Sequence, residues 1–157
     1  MEDINNIALQ IEKLMREIEH LDASVEPKIQ ILIADDSATA RRSIIHKLEE
    51  NKMFEFIEAT NGVEAFILLG RYPNIKMIFL DIEMPILSGR DFFIKGKEAG
   101  VLNNVPVIMV TSMSDKKTVV EFLKYGVAAY IAKPYDEQEF LKIVRGVLTS
   151  GSRKSKG

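Results

Sequence analysis

The sequence predicts a doubly wound α/β domain: five parallel strands with helices on both faces, preceded by one added amphipathic helix. Three observations predict it. Five short runs rich in Ile, Val and Phe recur at residues 29–34, 54–59, 76–80, 105–110 and 128–132. Amphipathic stretches separate these runs, and strict alternation of strand and helix implies a parallel sheet. Residues 4–25 follow another rule, with apolar residues spaced 3, 4, 3, 4, 3, 4.

That first segment places Ile4, Ile11 and Ile18 at heptad position a and Ile7, Leu14 and Leu21 at d. Such a stripe is a coiled-coil signal, and β-branched residues at a with Leu at d favour two parallel strands. The segment is therefore expected to join two copies of the chain, as a homodimer whose contacts are Ile4, Ile7, Ile11, Leu14, Ile18 and Leu21. Ala8 and Met15 at e widen the stripe, and Glu17 would approach Asp22 of the other copy. A bundle, an antiparallel pair, docking on another protein and folding back on the same chain are the alternatives. Pro27 ends the helix.

The first strand, 29–34, leads to a helix over 38–50, with Ser37 placed to cap it. The second strand, 54–59, is followed by an Asn61–Gly62 turn and a helix over 63–70. The third, 76–80, precedes a helix over 90–99 that follows Gly89. The fourth, 105–110, precedes a helix over 115–125, with Ser114 as the capping candidate. The fifth, 128–132, precedes a helix over 136–148 after Pro134. Residues 149–157, TSGSRKSKG, are basic and Gly/Ser-rich and read as a flexible tail. The domain boundaries predicted are thus 1–26, 27–148 and 149–157.

The 157 residues suffice for one domain with a core, and 46% apolar with 28% charged residues suits a soluble globular chain. A net charge of −2 argues against a large nucleic-acid footprint. With no cysteine, disulfides and thiolate metal sites are excluded. No apolar run reaches the ~20 residues of a membrane span, and the start MEDINNIALQ is not a signal peptide, so a cytoplasmic protein is expected.

In an open parallel sheet, ligands bind beyond the carboxyl ends of the strands. The first strand delivers Asp35 and Asp36 there, the third Asp81, the fourth Thr111 and Ser112, the fifth Lys133. Three carboxylates without His or Cys suit a hard cation such as Mg²⁺. A cation also explains how two adjacent aspartates stay ionised. A lysine charge and a threonine hydroxyl suit phosphoryl oxygens, and one aspartate can itself be a nucleophile. Thr111 and Lys133 are expected on the rim of this site, outside the core.

The motifs ILIADDS, FLDIEMPILSGRDF, VIMVTS and AYIAKPY together resemble the receiver domain of two-component response regulators, particularly the single-domain chemotaxis kind, over residues 28 to about 148. The resemblance implies a flavodoxin-like strand order, 2-1-3-4-5. It implies that Asp81 accepts a phosphoryl group from a sensor histidine kinase or phosphotransfer protein in a phosphorelay. It assigns Mg²⁺ to Asp35, Asp36, Asp81 and the backbone carbonyl of Glu83, and phosphoryl contacts to Thr111 and Lys133. It makes Thr111 and Tyr130 the switch residues, Tyr130 turning inward, and the Lys133–Pro134 bond cis. Glu83 and Met113 occupy the positions that tune dephosphorylation, and differ from the best-known chemotaxis pattern. Such a protein is a phosphoacceptor and not an enzyme in the usual sense, and it signals through a downstream protein, without nucleic acid or membrane. With only a tail after the last helix, no output domain is expected.

Other readings fit less well. A receiver-fold adaptor that works without phosphorylation would not need every one of these side chains. A Mg²⁺-dependent aspartyl-phosphate phosphatase of the haloacid-dehalogenase type carries D-x-D after its first strand, whereas this chain has D-D there. A flavodoxin needs room for flavin phosphate, and the loop ADDSATARR offers two anions and no glycine. His20 and His46 read as solvated, Arg41 and Arg42 as a solvated helix face, and Met15, Met77 and Met109 as core filler.

Overall fold

The computed structural model describes residues 4–24 and 28–154, with side chains over 4–18 and 28–150. The elements alternate after the first helix: α1 Ile4–Ser24, β1 Ile29–Ala34, α2 Ala38–Leu48, β2 Phe54–Ala59, α3 Gly62–Arg71, β3 Ile75–Leu80, α4 Gly89–Glu98, β4 Val107–Thr111, α5 Lys116–Tyr125, β5 Ala129–Ala132 and α6 Glu137–Lys154. The sheet has the order β2-β1-β3-β4-β5, and every neighbouring pair is parallel. This is the flavodoxin-like order expected.

Side chains alternate across the strands, so one sheet feeds two cores. Ile31 and Ile33 of β1, Met77 and Phe79 of β3, and Ile108 and Val110 of β4 pack with Ile44 and Leu48 of α2 and Phe140 and Val144 of α6. Leu32, Ala34, Ile78, Leu80 and Met109 point the other way, onto Ala65 of α3, Phe92 and Phe93 of α4 and Phe122 of α5. Met77 and Met109 are core residues as expected.

The helix starts are capped by side chains. Ser37 Oγ accepts from Ala40 N–H at 3.2 Å. Asn61, expected in a turn, is the cap of α3: its Oδ1 accepts from Glu64 N–H at 2.9 Å, and Glu64 reaches back to Thr60 N–H at 3.0 Å. This differs from a capping box in that the return bond goes to the residue before the cap, Thr60, and not to Asn61. Ser88 caps α4. Asp115, not Ser114, caps α5, because its carboxylate accepts from both the N–H and the hydroxyl of Thr118. Gly126 ends α5 in the left-handed region at φ +97°, where a side chain would be strained.

The last helix departs from expectation. It runs on to Lys154, so residues 149–154 are helical where composition predicts a flexible tail. The apolar stripe continues through Val147 and Leu148, and the Thr149 hydroxyl is satisfied within the helix by the Arg145 carbonyl at 2.8 Å. The predicted junction at residues 26 and 27, the heptad residue Val25 and residues 155–157 lie outside the described residues, as do the side chains of His20 and Leu21.

The added helix α1 exists. Every described side chain on it is exposed, including Met15, which is not core filler. It has not folded back onto the sheet. No helix among the described residues is long and apolar enough to cross a membrane.

Candidate functional site at the carboxyl edge of the sheet

Register brings the strand exits level. Ala34 lies beside Leu80, Leu80 beside Met109, and Thr111 beside Ala132. The next residue of three strands is tied to its neighbour by a backbone bond: Asp35 N–H to Ala59 O at 3.0 Å, Asp81 N–H to Ala34 O at 2.9 Å, and Lys133 N–H to Thr111 O at 2.8 Å. Three strands thus aim two carboxylates and an ammonium at one point, and the fourth adds a hydroxyl.

Asp35 is the fixed member. Its side chain is 4% exposed and accepts from Lys133 Nζ at 2.6 Å and from Ser37 N–H at 2.9 Å. Arg41 holds the loop from behind, donating to the Asp35 carbonyl at 2.7 Å and to Glu58 at 2.9 Å. Arg41 is therefore not the solvated residue its helix position suggests; it positions the first acidic loop. Arg42 is exposed. Asp36 is exposed beside Asp35.

Asp81 is held less tightly. Lys133 Nζ stands 3.4 Å from its Oδ2, against 2.6 Å for Asp35. Burial pushes the Asp81 carboxyl above the usual carboxylate range. A hydrogen bond from the Thr111 hydroxyl and the Lys133 charge oppose this, and the nearby Asp35 charge adds to it. Burial also works against the Lys133 ammonium, but its bond to Asp35 and the charges of Asp81 and Asp35 outweigh it, so Lys133 stays above its ordinary value. The lysine sits closer to Asp35 than to Asp81, so it offsets only part of the upward push that burial gives the Asp81 carboxyl.

Ligand oxygens of Asp35, Asp36 and Asp81 all lie within 4.8 Å of one another. Trans oxygens on an octahedral Mg²⁺ are about 4.2 Å apart, so small side-chain shifts would seat the ion. The donor set is hard oxygen throughout, and each carboxylate oxygen keeps a lone pair free beside its present hydrogen bond. The residues fit a Mg²⁺ ion. The Glu83 side chain is exposed and does not join the three aspartates, which is compatible with a role for its backbone carbonyl alone.

Thr111 differs from expectation. It is 0% exposed, because it ends a central strand flanked by β3 and β5, and its Oγ1 also accepts from Met113 N–H at 3.3 Å. It belongs to the core as well as the site. Tyr130 is half-buried with its ring centroid 6.3 Å from Phe122, and its hydroxyl donates to the Met113 carbonyl. Burial, then the Asp115 and Asp81 charges, push that hydroxyl up to about 12. The Lys133–Pro134 peptide is cis. Met113 thus meets both Thr111 and Tyr130 through its backbone.

Gly89 stands in the FLDIEMPILSGRDF motif, but its close approach and the ion pair of the next residue are tertiary. Gly89 opens α4 so close to the end of β3 that a Cβ there would lie 1.7 Å from the Asp81 carbonyl oxygen. Its neighbour Arg90 forms a two-point ion pair with Glu121 of α5 and stands 5.7 Å from the Phe122 ring centroid. No spacing rule pairs residues on separate helices. The Asp81 exit is thereby linked through α4 to α5 and on to Tyr130. His46 is exposed and pairs only with Glu49 among the described residues.

A parallel sheet whose carboxyl edge gathers three aspartates, a threonine and a lysine defines an acidic pocket with the donor set for a hard cation. The chain belongs to the response regulator receiver domain family, which residues 31–145 match. It is 35% identical over 124 residues to the chemotaxis protein CheY homolog of Campylobacter jejuni, covering 79% of this chain and 95% of that protein. It is 31% identical over 146 residues to the sensor histidine kinase CheAY of Helicobacter pylori, covering 92% of this chain but 18% of the kinase. That aligned stretch is longer than the receiver match, so it includes residues outside 31–145. Among solved structures, the Borrelia burgdorferi CheX–CheY complex with BeF3 and Mg²⁺ superposes with TM-score 0.70 at 30% identity, over 78% of this chain and 90% of that one. Receiver domains are signalling proteins that bind Mg²⁺ at an acidic pocket, and CheY-like receivers interact with histidine kinases and downstream targets.

Proposed function

We propose that this protein is a phosphorylation-switched response regulator, with Asp81 as the phosphoacceptor. The observation that carries this reading is the meeting of Asp35, Asp36 and Asp81 within 4.8 Å, with Lys133 bonded to two of them. In the transfer, an Asp81 carboxylate oxygen forms a bond to phosphorus as the bond from phosphorus to the donor, a phosphohistidine nitrogen of a kinase or phosphotransfer protein, breaks. Asp35, Asp36, Asp81 and the Glu83 carbonyl would hold Mg²⁺, which would supply positive charge to the transferring group. Lys133 and the Thr111 hydroxyl contact those oxygens, which draws Lys133 partly away from Asp35. Thr111 shifts toward the phosphoryl group, and Tyr130, bonded to Met113 two residues further on, turns inward with it. Glu83 and Met113 set the phosphoryl lifetime.

The phosphorylated form is read by a downstream protein in the cytoplasm, with no nucleic-acid or membrane step. The same chain self-associates through Ile4, Ile7, Ile11, Leu14, Ile18 and Leu21 of α1. Incubation with acetyl phosphate and Mg²⁺, followed by intact-mass spectrometry, tests the reading. One phosphoryl group is expected on wild type and none on Asp81→Asn or on wild type with the metal chelated. Equal labelling of wild type and Asp81→Asn would overturn it.

A further inference from the structure

The helix α1 presents an apolar surface that is left uncovered among the described residues. Ile4, Ile7, Ile11, Leu14 and Ile18 are all exposed, from 42% at Ile7 to 80% at Ile4. A 21-residue helix is marginal in water, and a stripe this long needs a covering surface. The receiver does not supply one, since its two cores are already closed by α2 with α6 and by α3, α4 and α5. The 3-4 spacing is the seam of a two-helix coil, and a second copy of α1 matches it in period and length.

The flanks of the seam decide its direction. In a parallel pair, each g residue meets the e residue five further on in the other copy. Glu17 would then face Asp22 on both sides of the seam. Like charges there select against that pairing. In an antiparallel pair, e meets e and g meets g. With Ile11 opposite Leu14, Ala8 then meets Met15 of the second copy, two apolar residues, and Gln10 meets Glu17. Met15 is exposed and available for that contact. The charge distribution agrees. Residues 4–11 carry no charge, while residues 12–22 carry four acids against two bases. Antiparallel pairing lays each acidic half along a neutral half instead of along its like. The Ile at d position 7 also departs from the Leu-at-d pattern that favours parallel dimers.

We infer that α1 pairs antiparallel with α1 of a second copy, Ile7 opposite Ile18. Each receiver follows the carboxyl end of its own α1, so the two receivers leave from opposite ends of a rod about 32 Å long. Resting on the phosphoacceptor reading above, this makes the dimer divalent: two sites phosphorylated independently and presented together, so that a multivalent partner gains avidity.

The chain has no cysteine, which makes cross-linking a clean test. Full-length protein is first sized by sedimentation at tens of micromolar, where a dimer is expected and a monomer would overturn the proposal. Ile7→Cys and Ile18→Cys proteins are then oxidised separately and after mixing and exchange. Disulfides are expected only in the mixture, and dimer formation by Ile7→Cys alone would show a parallel pair and overturn it. The Ala8→Cys and Met15→Cys pair repeats the test at the flank with the seam intact. Acetyl phosphate labelling of every variant is read separately, so loss of pairing and failure of the phosphoacceptor reading are distinguishable.

Discussion

The β1 exit and the β3 exit of the sheet carry the same side chain in opposite circumstances. Asp35 is partnered at both oxygens, by Lys133 at 2.6 Å and Ser37 N–H at 2.9 Å, and Arg41 braces its backbone. Asp81 is nearly as buried but poorly compensated, with Lys133 at 3.4 Å and its carboxyl pushed upward by burial. An anchored carboxylate fixes a ligand position. An under-compensated one gains most when a cation arrives beside it. The difference lies in the partners and not in the residue type.

Removing Lys133 should break this comparison most severely. Lys133→Ala leaves Asp35 buried and unpaired, and we expect a loss of about 2 kcal/mol in urea unfolding. That is below the range for a fully buried pair because a quarter of the lysine side chain is exposed. The fold is thus more sensitive to Lys133 than a rim position would suggest, and an unchanged midpoint would show that Asp35 is compensated by other groups.

Thr111→Val sharpens the β3 side. It keeps the shape of a fully buried residue but removes the donor to Asp81 and the acceptor for Met113 N–H. A loss of about 1 kcal/mol is expected, and the Asp81 carboxyl should titrate higher still in NMR. A downward move would mean the hydroxyl does not stabilise the ionised form.

Arg90→Ala has the smallest stability effect. The Arg90–Glu121 pair is partly exposed, so no more than about 1 kcal/mol is expected in thermal unfolding. Acetyl phosphate labelling should be unchanged, while α5 loosens and the difference between phosphorylated and unphosphorylated forms, read by NMR shifts near Tyr130, shrinks. Full retention of those shifts would remove Arg90 from the link between site and α5.

A pH series isolates Asp81. Its folded value is raised, so its protonated form is favoured by folding. Its stabilising contribution is complete below the ordinary carboxylate value and is lost as pH rises through the folded value. Metal-free wild type and Asp81→Asn should therefore be similar in acid and diverge toward neutrality, Asp81→Asn becoming the more stable. A constant gap across pH would contradict this.

Much of this is legible in the sequence. The short apolar runs mark the strands, and the strand-exit residues Asp35, Asp36, Asp81, Thr111 and Lys133 do converge. What escaped was tertiary. Arg41 looks like any charge on a helix face until Glu58 and the Asp35 carbonyl stand beside it. Thr111 reads as a loop residue because nothing local says that β3 and β5 flank it. Ser114 and Asp115 are equal as caps by type, and only the reach to Thr118 chooses between them. Gly and Ser after residue 148 are weak stop signals, and α6 passes through them.

The division between the two exits is tested most directly by thermal unfolding of wild type, Asp35→Asn and Asp81→Asn side by side at neutral pH without metal. Asp35→Asn should lower the midpoint, because it deprives Lys133 of its closest partner, while Asp81→Asn should raise it, because it removes a buried and under-compensated charge. Added Mg²⁺ should raise wild type and neither variant to the same degree. Shifts of the same sign in both variants would contradict the account.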